Sequence, residues 1–261
     1  MKHWTLVTGA SEGIGKEFAR IAAKEGRSLV ITARSEDKLN ALADELLSDQ
    51  VQVVVIPADL SDLPQAEKMW AGAIDGRRID VLVNNAGLGS NGAFKKLDNW
   101  DRERTTIDVN IMAASYLMKQ AIPYMQDHGG GRILNVASVA GFMPGPQMAV
   151  YHASKAYLLS LSEAVSEELR GSNVTITALC PGATQSNFFN DADMTNANIT
   201  KMGPLPTAKS VAELGWIAMR GGRRIIVTGV QNKFLVAMVR FLPRSWITRI
   251  AKKVLSKPDA D

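Results

Sequence analysis

The stretch Thr8-Gly9-Ala10-Ser11-Glu12-Gly13-Ile14-Gly15 joins a short apolar run to a helical pattern. The apolar run, Thr5 to Thr8, predicts a buried strand, and the pattern from Gly15 to Glu25 predicts a helix. Glycines at such a junction let the backbone turn tightly and let a pyrophosphate approach the amide groups of the helix N-terminus. The glycine spacing departs from the commoner GxGxxG pattern, so a glycine-rich turn without a ligand is the alternative.

Beyond this stretch, short apolar runs alternate with longer helical patterns, as a parallel sheet requires. Strand-helix-strand units connect with one hand, so the sequence predicts an α/β doubly wound parallel sheet of the Rossmann type, with about seven strands and helices on both faces. The predicted strands are Thr5–Thr8, Ser28–Ala33, Val51–Pro57, Val81–Asn84, Arg132–Ala137, Thr175–Cys180 and Ile225–Thr228. The predicted helices are Gly15–Glu25, Ser35–Leu47, Gln65–Ile74, Thr105–Gln126 and Tyr151–Leu169.

The domain organisation follows from changes in composition along the chain. Residues 1–230 are expected to form a single catalytic domain, because no linker or repeat interrupts them. Within it, residues 182–209 are rich in Asn, Asp, Thr, Pro and Met, which predicts a mobile flap over the substrate site. Residues 231–261 are expected to form a basic, helical, amphipathic extension.

The composition excludes several classes of protein. The chain has 261 residues, 46% of them hydrophobic and 21% charged, which excludes disorder, collagen and coiled coil. Neither a membrane span nor a signal-peptide core is evident, so a cytoplasmic protein is expected. With Cys180 alone and three histidines, neither an internal disulfide nor a metal site is expected.

Residues that follow the predicted strands indicate a nucleotide site. Where an acid would hold the ribose of NAD, the second strand is followed by Arg34, whose guanidinium can bind the 2′-phosphate of NADP. The alternative is an exposed Arg34 paired with Asp37. Asp59 follows the third strand and could accept from the adenine amino group, and Asn84-Asn85-Ala86-Gly87 ends the fourth. Each is a turn signal alone, but together they line one crevice.

Chemistry is indicated further along the chain, where Tyr151 and Lys155 stand four residues apart on one helix face. A nearby cation lowers the pKa of a phenol, which makes tyrosine a better acid or base, although this spacing also arises for structural reasons. Ser138 ends the fifth strand and could bind the same substrate oxygen as Tyr151, or could simply cap a turn. Asn110 lies in an apolar helix pattern and either holds a water or a carbonyl, or is bonded within the core.

This ordered set of motifs resembles the short-chain dehydrogenase/reductase family over residues 4 to about 187. The motifs are TGASEGIG at 8–15, Asp59, NNAG at 84–87, Ser138 and YHASK at 151–155. The resemblance implies that Tyr151 is the general acid/base, Lys155 lowers its pKa and holds the nicotinamide ribose, Ser138 orients the carbonyl, and Asn110 supports a proton-relay water. It implies homodimers or homotetramers built from the fourth and fifth helices.

The resemblance also implies a set of residues that bind the cofactor. Ser186, after Pro181-Gly182, stands where the family commonly has threonine, and Glu12 stands where many NADP-preferring members have a basic residue. The full set is Gly9, Ser11, Glu12, Gly13, Ile14, Gly15, Arg34, Asp59, Leu60, Asn85, Ala86, Gly87, Tyr151, Lys155, Pro181, Gly182 and Ser186.

The function predicted from these residues is NADPH-dependent reduction of a ketone or aldehyde to an alcohol, with a hydrophobic or lipid-like substrate. The alternatives are an NAD-dependent alcohol dehydrogenase and a nucleotide sensor or scaffold without turnover. The expected partner is a small carbonyl substrate, and nucleic acid is not expected because no recognition motif accompanies the basic residues. Substrate choice is expected to depend on Val139–Met148, on Asn91–Lys96, and on an apolar pocket formed by Phe142, Met143, Pro144, Met148, Phe188 and Phe189.

The basic residues are distributed unevenly. Ten of the 30 lie within 214–257, which contains no acid, so the rest of the chain carries 20 basic residues against 26 acidic ones. Apolar residues recur there at helical spacing: Phe234, Leu235, Met238, Phe241, Leu242, Trp246, Ile247, Ile250, Val254 and Leu255. The pattern predicts either peripheral contact with an anionic membrane or packing on the protein itself or on a second subunit.

Overall fold

The apolar run before the glycine-rich stretch forms the central strand, β1 (Trp4–Thr8), and every residue of it is buried. In the computed structural model, which describes residues 3–194, 198 and 204–256, β1 lies in a seven-stranded sheet of order β3-β2-β1-β4-β5-β6-β7. All neighbouring strands are parallel. The other strands are β2 (Ser28–Thr32), β3 (Val53–Val55), β4 (Ile79–Asn84), β5 (Gly131–Val136), β6 (Val174–Cys180) and β7 (Ile225–Val227).

Helices cover both faces of the sheet. Along the chain they are α1 (Gly13–Lys24), α2 (Glu36–Leu46), α3 (Leu63–Ile74), α4 (Trp100–Ile107), α5 (Ala114–Asp127), α6 (Ala149–Glu168), α7 (Phe188–Asp191), α8 (Ala208–Arg220), α9 (Val230–Val239) and α10 (Arg244–Leu255). A π-helical turn, Asp108–Ala113, joins α4 to α5.

The alternating direction of side chains along a strand divides the core into two layers. Leu6 of β1 packs with Trp70 of α3 and Leu117 of α5 on one face. The next residue, Val7, packs with Phe18 of α1 and Trp216 of α8 on the other. The doubly wound Rossmann-type fold predicted from the sequence is confirmed.

Two helical regions differ from the prediction. The helix predicted over Thr105–Gln126 begins earlier, at Trp100, and its regular hydrogen bonding is interrupted by the π-helical turn. The flap was predicted to extend to residue 209, whereas α8 already begins at Ala208, after Thr207 accepts a hydrogen bond from the Ser210 amide. The predicted flap is described at 182–194, 198 and 204–209, and its other residues lie outside the described part of the chain.

A glycine helps to explain why α8 was not predicted. Gly215 lies in the middle of α8, where glycine weakens a helical pattern. A Cβ atom at this position would lie 2.8 Å from the side chain of Leu179 in β6. Gly215 therefore allows α8 to pack closely on the sheet, and the same glycine weakens the helical pattern that would predict α8 from the sequence.

Candidate active site

The glycine-rich stretch forms a tight loop between β1 and α1. Gly9 and Gly13 have φ angles of 63° and 57°, in the left-handed region that favours glycine. A Cβ atom on Gly15 would collide with the carbonyl oxygen of Gly9 and with the side chain of Asn85. Among the described residues, no side chain caps α1, so its first amide groups are left for a ligand.

The NNAG motif after β4 holds this loop in place. The Asn85 side chain donates to the carbonyl oxygens of Thr8 (2.9 Å) and Gly9 (3.1 Å). The hydroxyl of Thr8 accepts from the amides of Asn85 and Ala86, each at 3.0 Å. Asn84 points into the core instead and donates to the side chain of Asn135 at 3.0 Å. The motif thus acts on the nucleotide loop through hydrogen bonds as well as by its position.

Arg34 and Lys38 lie at the end of the cavity next to β2, and both line the cavity. Arg34 is exposed, and within the described residues it forms no ion pair, so the predicted alternative of a pair with Asp37 is not seen. Lys38 was not identified from the sequence. Its ammonium lies 3.1 Å from the carboxylate of Glu12. Two cations therefore lie at this position, and Lys38 is already paired with Glu12.

Glu12 connects the glycine-rich loop to the flap. Its Oε2 accepts from Lys38 and, at 2.7 Å, from the side chain of Asn187. Burial alone would raise the pKa of Glu12, but the hydrogen bonds from Asn187 and Lys38 outweigh burial and lower it. Glu12 is therefore an anion beside Lys38.

Asp59 follows β3, and within the described part of the chain only one of its carboxylate oxygens accepts hydrogen bonds. Its Oδ1 accepts from the amide (2.9 Å) and the hydroxyl (2.8 Å) of Ser61. These bonds fix the orientation of the carboxylate, while Asp59 and Leu60 both line the cavity. The second oxygen can accept from an amino group of a bound ligand.

The catalytic candidates meet at the carboxyl edge of the sheet. Tyr151 lies in the first turn of α6, and Lys155 lies one turn later, with Nζ 5.8 Å from the centre of the Tyr151 ring. Ser138 follows β5, accepts from the Ala140 amide at 3.1 Å and donates to the Pro181 carbonyl at 3.3 Å. Ser138 therefore caps the short 3₁₀ helix 139–142, as a purely structural serine would. It also lines the cavity, where it can reach a substrate.

The protonation of Tyr151 differs from expectation. We expected Lys155 to lower the pKa of the phenol. In the structure, burial raises the pKa of Tyr151 to about 12, and a hydrogen bond with Ser138 offsets only part of the effect. Burial also lowers the pKa of Lys155 to about 8, because the charged ammonium loses solvation. Its Nζ donates to the Val136 carbonyl at 2.8 Å. Desolvation therefore dominates the pKa of both groups.

Asn110 lies behind the site rather than in the cavity. It is buried in the π-helical turn, where its Oδ1 accepts from the Leu88 amide at 2.9 Å. Its Nδ2 donates to the Leu88 carbonyl and to the Ser154 hydroxyl, also at 2.9 Å. This side chain therefore holds a backbone carbonyl and is bonded within the core at the same time, and its support of a proton-relay water stays a prediction. Asn110 therefore ties the segment after NNAG to α6, which carries Tyr151.

His152 and Cys180 are buried near the catalytic candidates. Nδ1 of His152 donates to the Met143 carbonyl at 2.9 Å, and burial lowers the pKa of this imidazole. Cys180, at the end of β6, is buried, and burial raises the pKa of its thiol to about 12. The charge of nearby Lys155 lowers that pKa only partly. Both side chains are therefore uncharged near neutral pH.

One cavity of about 670 Å³ joins these features. Among the predicted site residues, only Gly15 and Asn110 do not line it. Met143, Met148, Phe188 and Phe189 line it as predicted, whereas Phe142, Pro144 and residues 91–96 do not. Phe142 packs instead against buried Leu159 and Cys180, because the 3₁₀ helix directs it into the core.

The C-terminal helices complete the cavity wall, which sequence reasoning missed. Their lining residues include Leu235, Met238, Leu242, Ile247, Ala251 and Leu255. The amphipathic pattern did indicate that an apolar face needed a partner, and the structure shows that part of this face lines the protein's own cavity, whereas Phe234, Phe241 and Trp246 are exposed.

The chain fits a nicotinamide dinucleotide. The uncapped start of α1 and the glycine cradle after β1 suit a pyrophosphate, the cations Arg34 and Lys38 after β2 suit a phosphate or ribose, and Asp59 after β3 suits an adenine. Within the described residues, none of the helices is long and apolar enough to cross a bilayer.

Comparison with known proteins identifies the family. The family model described as short chain dehydrogenase matches residues 3–197. An uncharacterized oxidoreductase of Staphylococcus epidermidis is 34% identical over 191 residues, covering 72% of this chain and 80% of that protein. The ketoacyl reductase HetN of a Nostoc species is 35% identical over 209 residues, covering 79% and 71%. The chain therefore belongs to the short-chain dehydrogenase/reductase family and is an oxidoreductase of this type.

Solved structures of the same fold contain either form of the cofactor. A short-chain dehydrogenase from Sphingobium yanoikuyae in complex with NADPH has a TM-score of 0.80 and 26% identity, covering 92% of this chain and 94% of that one. A short-chain dehydrogenase/reductase from Burkholderia phymatum in complex with NAD also has a TM-score of 0.80, with 25% identity and coverage of 100% and 98%.

Proposed function

We propose that the protein uses NADPH to reduce the carbonyl group of a ketone or aldehyde, and that the substrate is hydrophobic or lipid-like. The observation that carries the proposal is that Ser138, Tyr151 and Lys155 line the same cavity as the glycine-rich loop. The preference for NADPH is supported by Arg34 and Lys38, two cations that line the cavity and could bind a 2′-phosphate. The apolar lining from the flap, α9 and α10 supports a hydrophobic substrate.

The residues suggest how a proton reaches the substrate. The reduced nicotinamide, when bound, supplies a hydride to the carbonyl carbon. Because burial keeps the pKa of Tyr151 at about 12, its phenol is protonated at neutral pH and can donate its proton to the carbonyl oxygen, completing the alcohol. Ser138 can donate to the same oxygen and fix its position. Lys155, still mostly charged at pH 7, stabilises the phenolate that remains.

We also propose two features of the organisation of the protein. The first is a division into a catalytic domain at 1–230 and an extension at 231–261. The second is assembly into homodimers or homotetramers through the predicted fourth and fifth helices, which correspond to α5 with the segments before it and to α6, where Met112 and Tyr157 are exposed. Sedimentation velocity of the purified protein tests the assembly, and a monomer at all concentrations would contradict it.

The cofactor preference is tested by oxidation of NADPH and NADH over a panel of short-chain and long-chain ketones and aldehydes. We expect higher kcat/KM with NADPH and with longer chains. Arg34→Asp should lower the ratio of kcat/KM for NADPH to that for NADH about tenfold or more, because it replaces a charge-assisted hydrogen bond by repulsion.

The matched control is Arg170→Asp, which makes the same change at an exposed arginine outside the cavity and should leave the ratio unchanged. A ratio that is the same in Arg34→Asp and wild type would contradict the role of Arg34. Binding of either nucleotide without turnover across the panel would favour the nucleotide-sensor alternative. Turnover with NADH alone would favour the NAD-dependent dehydrogenase.

A further inference from the structure

The helix α9 has two different faces. Leu235 and Met238 of α9, and Leu242 just after it, line the cavity. Beside this face, Val230 and Phe234 of α9, and Phe241 just after it, recur at helical spacing and are exposed, with 67% of Phe234 and 83% of Phe241 accessible to solvent. Basic residues accompany this outer stripe, since Lys233 precedes Phe234 and Arg240 precedes Phe241.

The helix α10 repeats the arrangement. Ile247, Ala251 and Leu255 are buried against the cavity. Its outer stripe consists of Trp246, Arg249, Ile250 and Lys253, at helical spacing, and 58% of Trp246 is accessible. We call the outer stripes of α9 and α10 together the outer face. Large apolar side chains exposed among basic ones are unusual for a surface that meets only water.

The charge of the outer face is of one sign. Within the described residues, neither α9 nor α10 contains an acid, and six exposed basic residues on and between them form no ion pair there: Lys233, Arg240, Arg244, Arg249, Lys252 and Lys253. By contrast, Arg220 and Arg224, which precede α9, pair with Glu25 and Glu167. The free positive charge is therefore concentrated where the exposed aromatic residues are.

The cavity opens beside the outer face. Leu235 and Ile250 both line the cavity, yet 41% of Leu235 and 55% of Ile250 are accessible to solvent. These two residues therefore form part of the rim, one on each helix. A surface that receives the outer face would lie next to the entrance of the substrate cavity.

We propose that α9 and α10 dock the protein on an anionic lipid bilayer, with the rim of the substrate cavity facing the lipid. Exposed aromatic and aliphatic side chains enter the boundary between headgroups and acyl chains, and the six cations contact anionic headgroups. The docking itself follows from the outer face. The passage of a hydrophobic substrate from the bilayer to Tyr151 rests, in addition, on the proposed function.

A second copy of the chain fits this face less well. A symmetric dimer would place the same surface on both sides of the contact, so the cations of one copy would meet those of the other. Repulsion between like charges opposes such a contact, whereas an anionic bilayer neutralises them. The composition of the face therefore favours lipid.

The test is sedimentation of the full chain with vesicles of phosphatidylcholine alone or mixed with phosphatidylglycerol. We expect the wild type to sediment with the anionic vesicles and to be released by high salt. Phe241→Ser/Trp246→Ser and Arg249→Glu/Lys253→Glu should each weaken binding about tenfold or more. All four side chains are exposed, so the variants should retain the far-UV circular dichroism and melting temperature of the wild type.

The controls make equal changes elsewhere on the surface. Lys24→Glu/Lys68→Glu reverses the same charge on α1 and α3, and Leu214→Ser/Ile217→Ser removes exposed apolar residues from α8. Both should bind vesicles like the wild type. The proposal is overturned if the wild type does not bind anionic vesicles, if it binds neutral ones equally, or if the outer-face variants bind as well as the controls. It is also overturned if outer-face variants lose an oligomer while the wild type fails to bind vesicles.

Vesicle binding requires no turnover, so the two proposals can fail separately. If the protein binds anionic vesicles through the outer face but reduces no carbonyl, the docking surface stands and the proposed function does not. If wild type and outer-face variants reduce a water-soluble ketone equally and none of them binds vesicles, the proposed function stands and the docking surface does not.

Discussion

Tyr151 is the residue on which the proposed chemistry depends. Replacing it by phenylalanine removes only the hydroxyl, so the ring can keep its contact with Phe188, whose centre lies 5.1 Å away. We expect Tyr151→Phe to bind NADPH like the wild type but to lower kcat by about 10²–10⁴-fold, because the proton donor is lost. Nucleotide fluorescence titration and steady-state kinetics measure the two effects.

The matched control is Tyr157→Phe, on the same helix, where the hydroxyl bonds to Ser115 at the surface. This control should keep full activity. Retention of most activity in Tyr151→Phe would rule out the assigned role of the phenol.

The carboxylate of Glu12 accepts a hydrogen bond from Lys38 and so competes with a bound phosphate for this cation. Glu12→Gln should free Lys38 and lower the KM for NADPH about two- to fivefold, with less change for NADH, as expected for an exposed ion pair. Steady-state kinetics with both nucleotides measure the change. The control is Asn187→Ala, which removes the contact of Glu12 with the flap but leaves the charge of Glu12. This variant should keep the wild-type ratio of the KM for NADPH to the KM for NADH. If both variants change this ratio equally, the flap contact and not the charge of Glu12 is responsible.

His152 makes stability depend on pH. Its pKa is lowered in the folded protein, so the unfolded chain takes up a proton first as the pH falls below about 6.5. The contribution to the free energy of unfolding is therefore complete above that pH and is lost as the pH falls through the folded pKa. Urea unfolding at pH 7.5 and pH 5.5 should show a smaller loss in His152→Asn, whose amide can still donate to Met143. Equal losses would contradict the role of His152.

At the scale of elements, the turn from β1 to α1 depends on the absence of a side chain at Gly15. We expect Gly15→Ala to lower the affinity for NADPH about tenfold or more and to destabilise the fold by about 1–3 kcal/mol, because the added carbon meets the Gly9 backbone. Isothermal titration and thermal unfolding measure the two effects.

The control for this prediction is Gly72→Ala in α3, where the nearest atom to the new carbon is 3.4 Å away. This change should leave NADPH affinity unchanged and stabilise the protein by about 0.5–1 kcal/mol, since alanine favours the helix. If Gly15→Ala binds NADPH as tightly as Gly72→Ala, the cradle does not require glycine.

The sequence predicted these elements well where the signal is local. A buried strand followed by glycine, asparagine or serine is visible in a few neighbouring residues, which is why Gly9, Asn85 and Ser138 were placed at strand ends. Contacts between distant residues carry no such signal. Glu12 reaches Asn187 across 175 positions, and nothing in either segment alone indicates the bond.

Over the whole molecule, the candidate site draws on nearly the entire chain. Residues from the loop after β1 to the last turn of α10 line one cavity. The order of the sheet explains this convergence, because β1 and β4 are neighbours and the chain leaves them in opposite directions. The apolar stripe of the tail predicted either membrane contact or packing on protein, and only the fold shows that part of the stripe lines the cavity while Phe234, Phe241 and Trp246 are exposed.

Cys180 offers a built-in probe of motion at this edge of the sheet. It is the chain's single cysteine, it is buried beside Lys155, and its thiol stays protonated because burial raises its pKa to about 12. A thiol reagent can therefore label the native protein only during transient opening of the strand end and its cover. The labelling rate, compared with that of a free thiol, measures how often the catalytic edge opens, and its slowing by NADPH would measure how firmly the nucleotide closes it.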